Sequence, residues 1–163
     1  MRKKNIILAG ALTLMAAAIS ACAPAGSNSN KKGLEAYQNG DYQNAVYLFK
    51  QAITQEPSED AYYCNLGQAY CAQGYYEEAI ESFTQALQLG GSSFYSYRGM
   101  GLAYNGLEEY EKAEKISDEL VGSTPNFVEG FYHGIQIAMK LNKYDKAAEY
   151  AEKLKECKRS GMT

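Results

Sequence analysis

Four alanines keep a strict register along the chain: Ala45, Ala79, Ala113 and Ala147 stand 34 residues apart. Three residues before each is a tyrosine, Tyr42, Tyr76, Tyr110 and Tyr144. Pro57 and Pro125 fall twelve residues after the first and third alanines, with Gly91 and Arg159 in the matching places of the second and fourth units. Gly67 and Gly101 lie twelve residues before their alanines, and Tyr70 and Tyr104 follow three residues later. Such a period limits the chain to a stack of similar small units, each burying its apolar face against the next.

The residue types suit paired helices. Small residues at fixed places let two helices approach closely, and the tyrosines fill the space beside them with the hydroxyl free to reach water or backbone. Gly40 and Gly74 mark the turn inside the first two units, and the prolines end second helices. The pattern predicts helices over 30–39 and 42–55, 59–73 and 76–89, 93–106 and 109–122, and 127–140 and 143–158. Ser58 and Ser92–Ser93 are N-cap candidates. Acidic pairs Glu77–Glu78 and Glu108–Glu109 open second helices, where they favour the helix dipole.

Two departures stand out. Phe49 with Ala52 and Phe83 with Ala86 are large then small; Ser117 with Leu120 and Ala151 with Leu154 reverse the order, which roughly conserves volume. Apolar Val46 and Ile80 give way to Glu114 in unit three and Ala148 in unit four, and Ile53, Leu87 and Val121 give way to Lys155. The last helix is therefore expected to show Lys146, Glu149, Lys153 and Lys155 to solvent as a polar cap. The first helix, starting at Asn30, Lys31 and Lys32, is expected to fray.

The run Tyr63-x-x-Leu66-Gly67-x-x-Tyr70, Gly74-x-Tyr76-x-x-Ala79-x-x-x-Phe83-x-x-Ala86 resembles the tetratricopeptide repeat (TPR) family. The likeness covers roughly 30–159. It implies an all-α fold, an α–α superhelix of about four helix-turn-helix repeats over 30–57, 60–91, 94–125 and 128–159.

The first 21 residues read as a segment outside the fold. Arg2, Lys3 and Lys4 precede an apolar run from Ile6 to Ile19, short for a bilayer span, and small residues follow. Ile19-Ser20-Ala21-Cys22 resembles the lipobox of bacterial lipoproteins. That resemblance implies a signal peptide over 1–21, cleavage before Cys22, and diacylglycerol on the Cys22 sulfur. Two or three acyl chains, at roughly 0.8 kcal/mol per buried methylene, give stable anchoring. Residues 22–29 then form the lipid anchor and a small, polar tether. Ala23 lacks the aspartate that resembles an inner-membrane retention signal. The expected location is extracytoplasmic, on the cell membrane, or on an outer membrane where one exists.

Composition excludes other functions. The formal net charge of −3 offers no basic excess for nucleic acid, and cleavage before Cys22 would leave thirteen basic residues against nineteen acidic. One histidine, His133, leaves no metal cluster and little acid–base chemistry; it is expected at the surface or in the groove. No glycine-rich phosphate loop stands out, because Gly99, Gly101 and Gly106 fall inside a helix. Cys64 and Cys71 lie on one helix roughly 10 Å apart, beyond disulfide reach. They read as groove fillers or as exposed thiols, and unpaired cysteines argue mildly against a strongly oxidising periplasm. The chain is expected to be no enzyme, to bind no cofactor, metal or small-molecule substrate, and to meet the membrane only through its lipid.

The resemblance implies that first helices line a concave groove that binds a protein or peptide segment. Its candidate residues are Tyr37, Gln38, Asn65, Gln68, Tyr95, Arg98, Leu102, Asn105, Tyr132 and Gln136. Cys64, Cys71, Glu129, His133 and Met139 share those inward positions. Tyrosine and arginine carry much of the binding energy at protein interfaces. Of the fifteen tyrosines, Tyr37, Tyr95 and Tyr132 are not required by the repeat. Members that bind chaperone C-termini use two asparagines and three basic residues. The matching places hold Asn30, Leu34, Asn65, Tyr95 and Gly99, so only Asn65 fits and that ligand class is excluded. The expected function is a membrane-anchored protein-interaction adaptor; the alternative is an assembly or pilotin-like factor for a pilus, secretion or outer-membrane complex.

Overall fold

The computed structural model describes residues 28–123 and 128–159. These form eight helices and no strand: α1 (Asn28–Gln38), α2 (Tyr42–Gln55), α3 (Asp60–Gln73), α4 (Tyr76–Gln88), α5 (Ser93–Gly106), α6 (Tyr110–Ser123), α7 (Val128–Lys140) and α8 (Tyr144–Arg159). Consecutive helices pack pairwise, and the first helices α1, α3, α5 and α7 also meet along the stack. The chain is an all-α superhelix of helix-turn-helix units. The signal segment, Cys22, the tether and Pro125 lie outside the described residues. Within them, no helix is long and apolar enough to cross a membrane.

The turn inside every unit is the same device. Gly40, Gly74, Glu108 and Asn142 stand 34 residues apart and all have positive φ, +79°, +83°, +61° and +57°. In each turn the next residue's N–H reaches back to the carbonyl five residues earlier: Asp41 to Ala36, Tyr75 to Tyr70, Glu109 to Tyr104, Lys143 to Ala138. This is the Schellman closure, which satisfies carbonyls at the helix end and needs a left-handed residue. Units one and two supply glycine; units three and four force Glu108 and Asn142 into the same conformation.

Packing follows the alanine register. Ala45, Ala79 and Ala113 are fully buried and Ala147 nearly so. Beside them a ring lies over a glycine sixteen residues earlier. A Cβ on Gly33 would stand 2.6 Å from the Phe49 ring, and one on Gly67 would stand 2.9 Å from Phe83. Phe83 also presses on Gly99 of the next unit, where a Cβ would come within 2.2 Å. Both phenyl rings are fully buried. In a close-packed core such a site tolerates no added methyl without a shift.

Unit three lacks this ring, because Ser117 stands where Phe49 and Phe83 stand in their units. The imidazole of His133, from unit four, takes the space: a Cβ on Gly101 would meet His133 Cε1 at 2.8 Å. Unit four restores an internal ring with the pair moved by one residue, Tyr150 over Gly134, at 2.7 Å. Leu120 and Leu154 are buried as the reversed order predicts. The larger part of the compensation comes from His133 and Tyr150.

Several expectations are corrected. The first helix is docked rather than frayed: Asn30 is 1% exposed and its Oδ1 accepts from Asn65 Nδ2 at 2.9 Å. Its amide partner sits on α3, so the start of α1 is tied into the core. Ser58 is not the N-cap of α3, which is Glu59; Ser92 is the N-cap of α5 as expected, and neither Glu59 nor Ser92 makes a side-chain cap hydrogen bond. Asp41 is the side-chain cap found, accepting from the Asn44 N–H at 3.2 Å. Lys146 faces inward to unit three rather than out to solvent. Glu149–Lys153 and Glu152–Lys155 do pair on the exposed face of α8.

Candidate functional site

The candidate groove residues separate into three sets. Tyr37, Asn65 and Gln68 are buried; Tyr95, Arg98, Leu102 and Asn105 are half-buried; Gln38, Tyr132 and Gln136 are exposed. The α3 part of the inward face is a floor: Cys64, Asn65, Gln68 and Cys71 all lie under 9% exposed. Asn65 spends its amide on Asn30, and Gln68 Nε2 bonds Cys64 Sγ at 3.6 Å. Tyr37 closes that end, its ring edge-on to Tyr42 with centroids 5.1 Å apart. Burial pushes the Tyr37 hydroxyl well above its ordinary range, and the positive charge of Arg98 opposes that shift.

Cys64, Cys71 and Cys157 are buried and none is in a disulfide among the described residues, so the cysteines on α3 are packing groups rather than exposed thiols. Burial raises the Cys71 thiol to about 12, which suppresses thiolate chemistry.

The open part of the inward face belongs to α5 and α7. Tyr132 is 46% and Met139 50% exposed, with Gln136 between them on the same stripe of α7. On α5 the inward candidates Tyr95, Arg98, Leu102 and Asn105 are half-buried, with Tyr95 and Leu102 packed against the core beneath them. Lys158 steadies Tyr132, donating to its hydroxyl at 3.0 Å and standing 5.4 Å from its ring centroid. The amide oxygen of Asn105 is buried without a hydrogen-bond partner in the chain.

His133, on α7, reaches Gly101 of α5 and Ser117 of α6. Ser117 Oγ donates to the Ala113 carbonyl at 2.9 Å and therefore accepts from His133 Nδ1–H at 2.7 Å. Burial lowers the imidazole to about 4; the Gly101 backbone favours its protonation, while Arg98 disfavours it. His133 is therefore neutral at pH 7 and largely buried, not a surface histidine. Its ring fills the space over Gly101, so it serves as a packing group.

An ionic cluster fastens unit four beneath this site. Glu114 is 8% exposed. It receives Lys143 at 2.5 Å and Lys146 at 3.4 Å; Lys146 also reaches Asp118 at 2.6 Å. The Tyr150 hydroxyl donates to Asp118 as well. Burial opposes the charge of Lys146, but the Asp118 bond and the two carboxylates outweigh it and raise its pKa. Burial and Asp118 hold the Tyr150 hydroxyl protonated. The sequence signalled this cluster only as the loss of an apolar residue at position 114. Lys143 and Lys146, one turn apart in the next unit, were the available clue.

The model of the tetratricopeptide repeat matches residues 30–94 and 64–127, more than half of the chain. The chain belongs to the TPR family. Solved structures agree on the fold. MamA residues 41 to the end from Desulfovibrio magneticus RS-1 is 23% identical with a TM-score of 0.74, covering 81% of this chain and 75% of that one. The first TPR of Spaghetti (RPAP3) bound to the HSP90 peptide SRMEEVD is 22% identical, TM-score 0.66, covering 70% and 93%. YrrB, described as a TPR protein with an unusual peptide-binding site, is 18% identical, TM-score 0.68, covering 79% and 66%. No curated protein matches the sequence.

Proposed function

We propose that the protein is an interaction adaptor held at an extracytoplasmic membrane face by lipid on Cys22, which captures a partner segment in its groove. The carrying observation is the inward face of α5 and α7, where half-buried Tyr95, Arg98, Leu102 and Asn105 stand beside exposed Tyr132, Gln136 and Met139. Aromatic, amide and arginine groups at a partly exposed concave face are the composition of a binding surface, since their desolvation yields energy and direction together. The peptide bound to the first TPR of RPAP3 and the peptide-binding site described for YrrB support the choice of a peptide segment as ligand. The chaperone C-terminal carboxylate is not that ligand: Asn65, the one matching residue, is buried and bonded to Asn30.

Binding is assigned to the unit three to unit four half of the groove, because Tyr37 and the α3 floor fill the other half. The Arg98→Glu, Tyr132→Ala double variant should lose its partner in co-purification while keeping its helical circular dichroism. Equal recovery would refute the groove. Cys22→Ala should move the protein from the membrane to the soluble fraction, and continued membrane partition would refute the anchor.

A further inference from the structure

On the face away from the groove, a cavity of about 270 Å³ opens between the second helices of units one and two. Its walls are Tyr63, Leu66 and Tyr70 of α3, and its rim carries Lys50 of α2 with Glu78 and Glu81 of α4. Tyr63 is fixed by its hydroxyl, which donates to the Pro57 carbonyl at 3.1 Å, and Tyr70 stacks edge-on with Tyr75 at 6.3 Å. The walls are thus anchored aromatic surfaces.

The charges around this cavity do not neutralise one another. Among the described residues neither Lys50, Glu78 nor Glu81 forms an ion pair. Lys50 instead stands over the Tyr70 ring, 5.4 Å from its centroid. Ser82 and Gln85 of α4 complete the lining, so opposite charges share one small space whose α3 side is aromatic and apolar and whose α4 side is polar.

We infer that this cavity binds a compact zwitterion with an apolar side chain, namely an α-amino acid of leucine to phenylalanine size. Its carboxylate would pair with Lys50, its ammonium with Glu78 or Glu81, and its side chain would lie against Tyr63, Leu66 and Tyr70. The volume of about 270 Å³ leaves room for a ligand of this size. A longer peptide separates its terminal charges too widely to use both ends of the rim. The site is independent of the groove, being built by α2, α3 and α4 on the opposite side.

The test is NMR titration of the ¹⁵N-labelled full chain with L-phenylalanine, N-acetyl-L-phenylalanine and L-phenylalanine amide. L-phenylalanine should give saturable shifts at Tyr63, Tyr70 and their neighbours. Each blocked form should bind about ten-fold or more weakly, the usual cost of removing one charged hydrogen-bond partner. In Lys50→Gln, an exposed substitution, L-phenylalanine and its amide should bind equally. Absence of saturable shifts overturns the site, as do equal binding by the blocked forms and shifts confined to Tyr95 and Tyr132.

Discussion

Over Gly67 of unit two lies a phenyl ring from the same unit; over Gly101 of unit three lies an imidazole from unit four. The first junctions of the stack are apolar, with Val46 and Ile80 packed into the cores of units one to three. The last junction replaces them with Glu114 and its two lysines. Phe131, Tyr150, Leu154 and Cys157 form a separate small core in unit four, and Val121 of unit three packs against it. The difference teaches how one repeat geometry tolerates two chemistries. An apolar junction is insensitive to pH and salt, whereas one built on a neutral histidine and an ion cluster is sensitive to both. The proposed partner-binding face spans this second junction.

Phe83→Ala should give the largest effect, about 3–5 kcal/mol in urea unfolding, because one ring fills the space against Gly67 and Gly99. Ser117→Ala should cost only about 1 kcal/mol. Equal losses would erase the distinction between the junctions.

Acid should act on the last junction next. The folded pKa of His133, about 4, lies below its ordinary 6.5. Its contribution is complete above about 6.5 and is lost as pH falls toward 4, because the unfolded chain binds the proton more readily. The slope there approaches about 1.4 kcal/mol per pH unit. His133→Phe should flatten the curve over that window, and an unchanged slope would contradict the buried neutral imidazole.

Glu114→Gln should destabilise by about 2 kcal/mol, less than a fully buried pair because Lys143 and Lys146 are partly hydrated. Amide exchange should accelerate in α7 and α8 before α1 to α4. Molar salt should mimic part of the change in the wild-type chain and little of it in the variant.

The smallest effect is expected at the turns. Glu108→Gly should stabilise by up to about 1 kcal/mol, since a left-handed conformation is strained for glutamate. Asn142→Gly should gain less, because asparagine accepts that region more readily. Thermal unfolding of the two variants measures the order.

The alanine and tyrosine register made the helices legible to within two residues, because close helix packing demands small residues at fixed places whatever the neighbours. What lay between units was harder to see. Asn30 and Asn65 meet across 35 residues, and position 30 alone looks like the polar start of a loose helix. His133 reads from the sequence as a surface or groove residue, because the space that buries it is created by Ser117, a residue of another unit. The pair Gly134–Tyr150 keeps the sixteen-residue spacing of Gly33–Phe49 and Gly67–Phe83 but stands one residue off the 34-residue register, so the register alone does not reveal it. For the candidate site, the sequence identified inward positions; which of them stay open depends on how far α3 is covered by Tyr37 and its neighbours.

Site-specific photocrosslinking in the producing cell tests the central claim most directly. A photoreactive phenylalanine at Gln136, on the open inward face, should give a discrete partner adduct that Arg98→Glu abolishes. The same group at Tyr47, exposed on α2, should give none. An adduct from Tyr47 with none from Gln136, or one from Gln136 that survives Arg98→Glu, would contradict the assignment of partner binding to the groove of units three and four.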